Sequence, residues 1–265
     1  MNTDGSSHYV NLSLAELAQH AISGNEGQFS KRGTLVVPTR RGQHVARYLV
    51  NEPSVTDILR SDTQFQFLED ADFKSIWANV TNHIIDSKRY RLNAQLGIKC
   101  DIAVPLEITT LKAWQAMSCH HLCHIPTKFN ALDKPVWKLI WVDMKNLSES
   151  LSIESRGGIT LTHVGKRKVL ICGDLTVGEM RRTLFTILGL LLPEKSILPI
   201  HGAAAEKNGT VTLFLGPAGA KKTTWALRCG HLFADRALSW SQEGLHRLAD
   251  GCRLHLNNNL PINLC

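Results

Sequence analysis

Two hydrophobic periods run along this chain. Leu14, Leu17, Ala18 and Ile22 share one side of a helix predicted from Leu12 to Ile22. Phe73, Ile76, Trp77, Val80 and Ile84 form a second stripe between Asp70 and Asp86. Positions three and four apart lie on one helix face, so both stripes face a core, and the second is packing and not a cofactor box. Leu111 to His124 (closed by Pro126), Gly178 to Leu192, and Trp225 to Cys229 (stopped by Gly230) predict three more helices. Short alternating or continuous apolar runs predict strands at Gly33–Thr39, Tyr90–Leu96, Leu106–Thr110, Trp137–Val142, Ile159–His163, Val169–Cys172, Ile197–His201 and Val211–Leu215. The elements mix without a strict βαβ alternation, which predicts an α/β fold of mixed α+β character. A boundary near Pro193 to Ser196 divides the chain into residues 1–195 and 196–265.

Composition narrows the class. The 265 residues are 43% hydrophobic and 20% charged, as in ordinary globular chains. A formal charge of +7 favours anionic partners, and nucleotide phosphates or small carboxylates satisfy it as readily as nucleic acid. The basic pairs are scattered and form no stripe with aromatics, so nucleic acid is disfavoured against a nucleotide or small anionic substrate. Seven cysteines, an odd number without framework spacing, predict reduced thiols in a cytoplasmic protein. The polar start Met1–Ser7 is not a signal peptide, and Thr183 to Leu192 is too short to span a membrane.

Chemistry enters at Gly216-Pro-Ala-Gly-Ala-Lys-Lys-Thr-Thr224, which follows the strand at Val211–Leu215 and opens the helix before Gly230. A strand emptying into a Gly-bearing turn and then Lys-Thr-Thr has the layout of a phosphate-binding loop (P-loop). Backbone N–H groups face the anion, the Lys neutralises it, and the first Thr can ligate Mg²⁺. In the pattern G-x-x-x-x-G-K-[ST], Gly216, Lys222 and Thr223 fit, while Lys221 takes the second Gly position. A side chain there costs roughly 1–2 kcal/mol if the backbone needs a positive φ. Gly219 and Thr224 complete the candidate set; the competing reading is a turn whose lysines are solvated.

Other clusters stay open. Cys119-His-His-Leu-Cys-His124 offers i,i+4 pairs of zinc-ligand type, without the second ligand pair that structural zinc sites draw from a separate element. Buried cysteines and surface histidines on an ordinary helix compete with it. Arg181 and Arg182 in a helix's first turn oppose its dipole, which favours an anion nearby or full solvation. His201 at a strand end is either an acid/base or ligand group or structural, and Arg41 either clamps a carboxylate or is solvated.

Taken in order, the fragments resemble the ATP-dependent phosphoenolpyruvate carboxykinase family. The similarity runs through Gly173-Asp-Leu-Thr-Val-Gly-Glu-Met-Arg-Arg182, Leu191-Leu-Pro193, Leu198-Pro-Ile-His201, the Gly216–Thr224 loop and weakly Arg236 to Leu245. Upstream, Ala113-Trp-Gln-Ala116 matches the family's A-W-Q-A, and Thr39 to Tyr48 looks like its T-G-R-S-P-K-D-K-Y turn. The resemblance implies a carboxykinase-like N-terminal substrate domain followed by an incomplete P-loop nucleotide-binding domain. The implied activity is gluconeogenic: oxaloacetate and ATP give phosphoenolpyruvate, ADP and CO₂, with Mg²⁺ or Mn²⁺. It places the carboxylate-binding Arg at Arg41, the metal-proximal His at His201, the phosphate Lys at Lys222 and the Mg²⁺-ligating Thr at Thr223. The metal-coordinating Lys of G-E-M-K-K falls on Arg182, with its neighbour on Arg181.

The departures are chemically pointed. A lysine can shed its proton and offer a lone pair to Mn²⁺, but a guanidinium cannot. The family's paired aspartates, G-D-D-E-H-G, align here with Ser239-Trp-Ser-Gln-Glu-Gly244, so Trp240 and Ser241 replace both carboxylates and Glu243 is the local substitute. The Tyr expected three residues before Glu179 is Thr176, and the resemblance covers about the first half of the family's length. These departures predict a truncated, degenerate member, a pseudoenzyme that retains anion or nucleotide binding. Two alternatives stand beside it. One is an altered enzyme in which Arg181, Arg182 and Lys221 replace metal charge. The other is an interaction module whose incomplete C-terminal sheet, exposing Val211 to Leu215, is finished by another chain or a second copy.

Overall fold

The computed structural model describes residues 8–29, 35–36, 45–52, 65–96, 104–120, 122–123, 125, 137–143, 158–173, 175–193, 196–217, 219–235, 238–242 and 244–247. The architecture is mixed α/β. The chain divides into two compact units, Met1–Gln95 with Val104–Leu184, and Leu96–Ala103 with Phe185–Cys265.

Unit 1 is built on eight strands: β1 (His8–Val10), β4 (Val45–Val50), β5 (Gln66–Leu68), β6 (Arg89–Leu96), β7 (Val104–Thr110), β8 (Trp137–Val142), β9 (Gly158–His163) and β10 (Lys168–Cys172). They form one sheet in the order β1-β6-β7-β8-β10-β9-β4-β5, while β2 (Gln28–Phe29) and β3 (Leu35–Val36) pair separately. β7, β8 and β10 run parallel, and the β9–β10 hairpin is antiparallel. Parallel strands covered on both faces read as near-continuous apolar runs, which is why Trp137–Val142 carries only one polar residue.

The stripe on α2 (Asp70–Ile84) does what its spacing predicts. Phe73, Ile76, Val80 and Ile84 pack on Ile140, Val142, Ile159, Leu161 and Leu170, with Trp77 half-buried at the margin. On α3 (Ala113–His120), Trp114 meets Trp141 edge-on at 5.3 Å, and the Trp141 indole N–H donates to the Gly173 carbonyl at 2.9 Å. α1 (Leu14–Ser23) packs against α3 and starts with a capping box in which Ser13 and Glu16 satisfy each other's backbone N–H. α4 (Val177–Leu191) begins in unit 1 and continues past the division between Leu184 and Phe185.

Unit 2 holds two antiparallel three-stranded sheets. One is β13 (Thr210–Phe214), β12 (Ala203–Lys207) and β14 (His231–Asp235), in that order; the other is β11 (Leu198–Ile200), β15 (Leu238–Ser241) and β16 (Gly244–Arg247). α5 (Lys222–Cys229) covers one face of the first sheet, through Ala226 against Ala203, Ala205 and Leu232. On the opposite face Ala204 and Ala234 pack with Leu238, Ile200 and Leu245. Three consecutive alanines thus run down the middle strand, buried on both sides.

Two expectations change, and one strand is added. Thr39–Tyr48 is not all turn, because strand β4 starts at Val45 and residues 37–44 lie outside the described residues. The helix read to His124 ends at His120, where the Leu122 and Cys123 N–H groups both converge on the Cys119 carbonyl and close the last turn. Ala203–Lys207 is a central strand although alanine favours helices. Burial between two layers sets that choice, and local propensity does not.

Candidate functional site

The end of the first sheet in unit 2 gathers the loop residues. Phe214, Ala203 and Asp235 form one row across β13, β12 and β14. Beyond that row the chain leaves β13 into Gly216, enters β12 from His201 and Gly202, and leaves β14 after Asp235. Gly202 presses against the end of β13, since a Cβ there would lie 2.9 Å from the Phe214 carbonyl oxygen. The topology therefore places His201, exposed, beside the start of the Gly216–Thr224 loop.

The loop's backbone is set by three positive-φ residues. Gly216 (φ 153°) and Gly219 (φ 85°) adopt such angles freely, but Lys221 (φ 55°, ψ 32°) carries a Cβ in the left-handed region. It stands just ahead of α5, and its side chain makes no capping hydrogen bond to that helix. The first intrahelical bond runs from the Trp225 N–H to the Lys221 carbonyl at 3.0 Å, so the N–H groups of Lys222, Thr223 and Thr224 precede it. Such a helix start presents donors and a partial positive charge to an anion. The Lys222 ammonium donates to the carbonyls of Gly216 and Pro217, both at 2.9 Å, which holds it over the loop.

Thr223 and Asp235 supply the polar pair of this site. The Thr223 hydroxyl donates to Asp235 Oδ1 at 2.7 Å, joining the first turn of α5 to the end of β14. Asp235 is the residue the sequence reading missed. Alignment of the paired aspartates with Ser239–Gly244 placed them within and beyond β15, where Trp240 is exposed and pairs with Leu198 across β11. The carboxylate that meets the loop instead ends the strand directly after α5, at Asp235. An Asp closing the apolar run His231-Leu-Phe-Ala234, one strand after the loop helix, was the available signal. Glu243 lies outside the described residues.

The remaining candidates belong to unit 1. Glu179 on α4 accepts from Arg47 Nη2 at 2.5 Å and from Arg182 Nη1 at 3.0 Å, so the Arg182 guanidinium is already paired with a carboxylate. Thr176, the residue found where a Tyr was expected, accepts the Glu179 N–H at its hydroxyl at 3.3 Å. Arg181 is half-buried, and its Nε has no hydrogen-bond partner. Arg41 lies outside the described residues.

Among the described residues of the Cys119–His124 run, no metal cage is assembled. Cys119 is buried, and burial pushes its thiol well above the usual range. His120 Nε2 lies 3.0 Å from the Leu12 carbonyl oxygen, and His121 and His124 are outside the described residues. Among the described residues no group of three or more His, Cys, Asp or Glu is placed to hold a metal ion. No helix among them is long and apolar enough to cross a membrane.

Comparison with known proteins agrees with the motif order. A family model described as phosphoenolpyruvate carboxykinase matches residues 6–259. Phosphoenolpyruvate carboxykinase (ATP) 1 of Moorella thermoacetica is 28% identical over 259 residues, covering 92% of this chain and 48% of that protein. The phosphoenolpyruvate carboxykinase (ATP) of Leptospira biflexa is 29% identical over 257 residues, with 92% and 47% covered. That of Geobacillus thermodenitrificans is 26% identical over 250 residues, with 91% and 47% covered. The chain spans about half the length of the curated relatives it matches.

Proposed function

Since the chain belongs to the phosphoenolpyruvate carboxykinase family, we propose that residues 216–224 form a phosphate-binding loop for ATP taken with Mg²⁺. We further propose that the family's conversion of oxaloacetate and ATP to phosphoenolpyruvate, ADP and CO₂ is impaired at the Mn²⁺ that Arg182 cannot ligate. The observation that carries the first part is the Thr223–Asp235 hydrogen bond at the start of α5. A hydroxyl and a carboxylate side by side are hard oxygen donors of the kind Mg²⁺ takes alongside water and phosphate. Thr223 and Asp235 would hold the ion, which supplies charge neutralisation at the phosphates when bound. Lys222 leaves its two loop carbonyls for phosphate oxygens, the N–H groups of residues 222–224 bind the same anion, and Lys221 adds a second cation. His201 flanks this arrangement as the metal-proximal group.

The second part rests on Arg182. A permanently protonated guanidinium has no lone pair for a metal. Its pairing with Glu179 supports a structural role and weighs against the alternative in which Arg182 replaces metal charge at a phosphate. The test is calorimetric titration of ATP with and without Mg²⁺, on wild type and Asp235→Asn. Wild type should bind roughly tenfold more tightly with Mg²⁺, by analogy with the loss of one charge-assisted contact, and Asp235→Asn should lose that difference. ATP binding indifferent to EDTA would overturn the magnesium reading. Phosphoenolpyruvate released from oxaloacetate and ATP at an ordinary enzyme rate would overturn the impairment.

A further inference from the structure

Unit 1 carries a concentration of positive charge that its fold does not require. In the parallel pair β8/β10, Lys138 stands directly beside Lys168. Like charges directly opposite one another in a sheet oppose its formation. The turn between β9 and β10 adds Lys166 and Arg167, the latter at φ 53°. The Arg167 carbonyl accepts the Lys138 N–H at 2.9 Å, which fixes the turn beside β8. The Lys168 ammonium is held 4.8 Å from the centre of the Trp77 ring. Burial pushes the Lys168 ammonium below the usual lysine range, and the charges of Lys138 and Lys166 push it further.

The carboxylates in this region are engaged elsewhere. Asp70 accepts from Lys166 at 2.5 Å and lies 2.6 Å from Lys74 and 2.8 Å from His163. Glu52 faces His163 and the Gly165 N–H. Glu107, beside Lys138 in β7, lies 3.9 Å from Arg91. Among the described residues Lys138, Arg167 and Lys168 have no carboxylate ion pair. Lys138 and Lys168 are thus held side by side by a strand register and an indole ring, and a backbone hydrogen bond sets Arg167 in the adjoining turn.

We propose that Lys138, Arg167 and Lys168 form a surface site for a soluble multivalent phosphate, separate in sequence and in unit from the Gly216–Thr224 loop. An oxyanion bridging the three relieves the repulsion between Lys138 and Lys168. Arg167 contributes a planar fork suited to two phosphate oxygens. The Trp77 ring fixes the Lys168 ammonium in place, which limits the freedom lost on binding.

The test uses inorganic pyrophosphate and the full chain carrying Lys222→Ala, so that the loop does not report. Lysine side chains labelled at Cε are followed by NMR, with the Lys168 signal assigned from a Lys168→Arg variant. Pyrophosphate should move the Lys168 titration midpoint upward and saturate, while sodium chloride at matched ionic strength should not. Lys138→Gln should raise the midpoint before any anion is added and should weaken pyrophosphate binding roughly tenfold. Adding Arg167→Gln should abolish saturation in a protein whose circular dichroism is unchanged. A Lys168 signal that ignores pyrophosphate overturns the site, as does a response that sodium chloride reproduces or that survives both substitutions.

Discussion

Lys221 offers a clean measurement of what the loop's departure from its pattern costs. It is held at φ 55°, ψ 32°, directly before α5, where the usual pattern has glycine. An L-residue in the left-handed region is disfavoured by roughly 1–2 kcal/mol. Glycine removes that strain but has more backbone freedom to lose on folding, roughly 0.5–1 kcal/mol. Lys221→Gly should therefore stabilise unit 2 by about 0.5–1 kcal/mol. For a unit of this size melting on its own, that corresponds to a rise of roughly 2–8 °C in the midpoint. The assay is thermal unfolding followed by circular dichroism, at low salt and without phosphate, with Lys221→Ala as the control. Alanine removes the charge beside Lys222 and keeps the Cβ, so it separates charge repulsion from backbone strain. A Lys221→Gly midpoint no higher than that of Lys221→Ala would refute the strain argument. The same variant should bind ATP without gaining affinity, because relief of strain is offset by loss of a cation.

Two further tests follow from contacts already described. The Asp70 carboxyl is held well below its ordinary value of 3.8, first by its hydrogen bond to Lys166, then by those to Lys74 and His163. A depressed carboxylate gives stability that is present above the unfolded value and lost as pH falls toward the folded one. Acid unfolding of wild type should thus steepen below about pH 4, and Asp70→Asn should remove that part of the slope, as read by tryptophan fluorescence. Gly230, which closes α5, lies so near β12 that a Cβ would sit 2.4 Å from the Glu206 carbonyl oxygen. Its backbone is extended, so the conflict is steric alone; Gly230→Ala should cost roughly 1–3 kcal/mol in urea unfolding.

Much of unit 1 was legible because its elements follow from burial pattern. The stripe from Phe73 to Ile84 and the apolar runs of β8, β9 and β10 need only the rule that periodicity tracks a buried face. β12 was not legible, because Ala203-Ala-Ala205 carries no period and becomes a strand only when α5 and the second sheet cover it. The site was legible to the same degree. Gly216, Lys222 and Thr223 stand out through residue type and spacing. Asp235 does not, because only the pairing of β12 with both β13 and β14 puts it level with Phe214.

The kept and the changed positions ask for different donor chemistry, and this makes nucleotide binding and turnover separable. Thr223 and Asp235 are oxygen groups, already joined by a hydrogen bond and set on two elements whose places are fixed by the alanine-lined core of unit 2. Arg182 would have to give a nitrogen lone pair and has none to give. Its charge is also engaged, since Glu179 pairs with both Arg47 and Arg182. An arginine built into an ion-pair network is harder to reassign than a solvated one. Under the proposed function, magnesium-linked ATP affinity would therefore report on unit 2, whereas decarboxylation would report on the α4 position, and a deficit in the second would carry no information about the first.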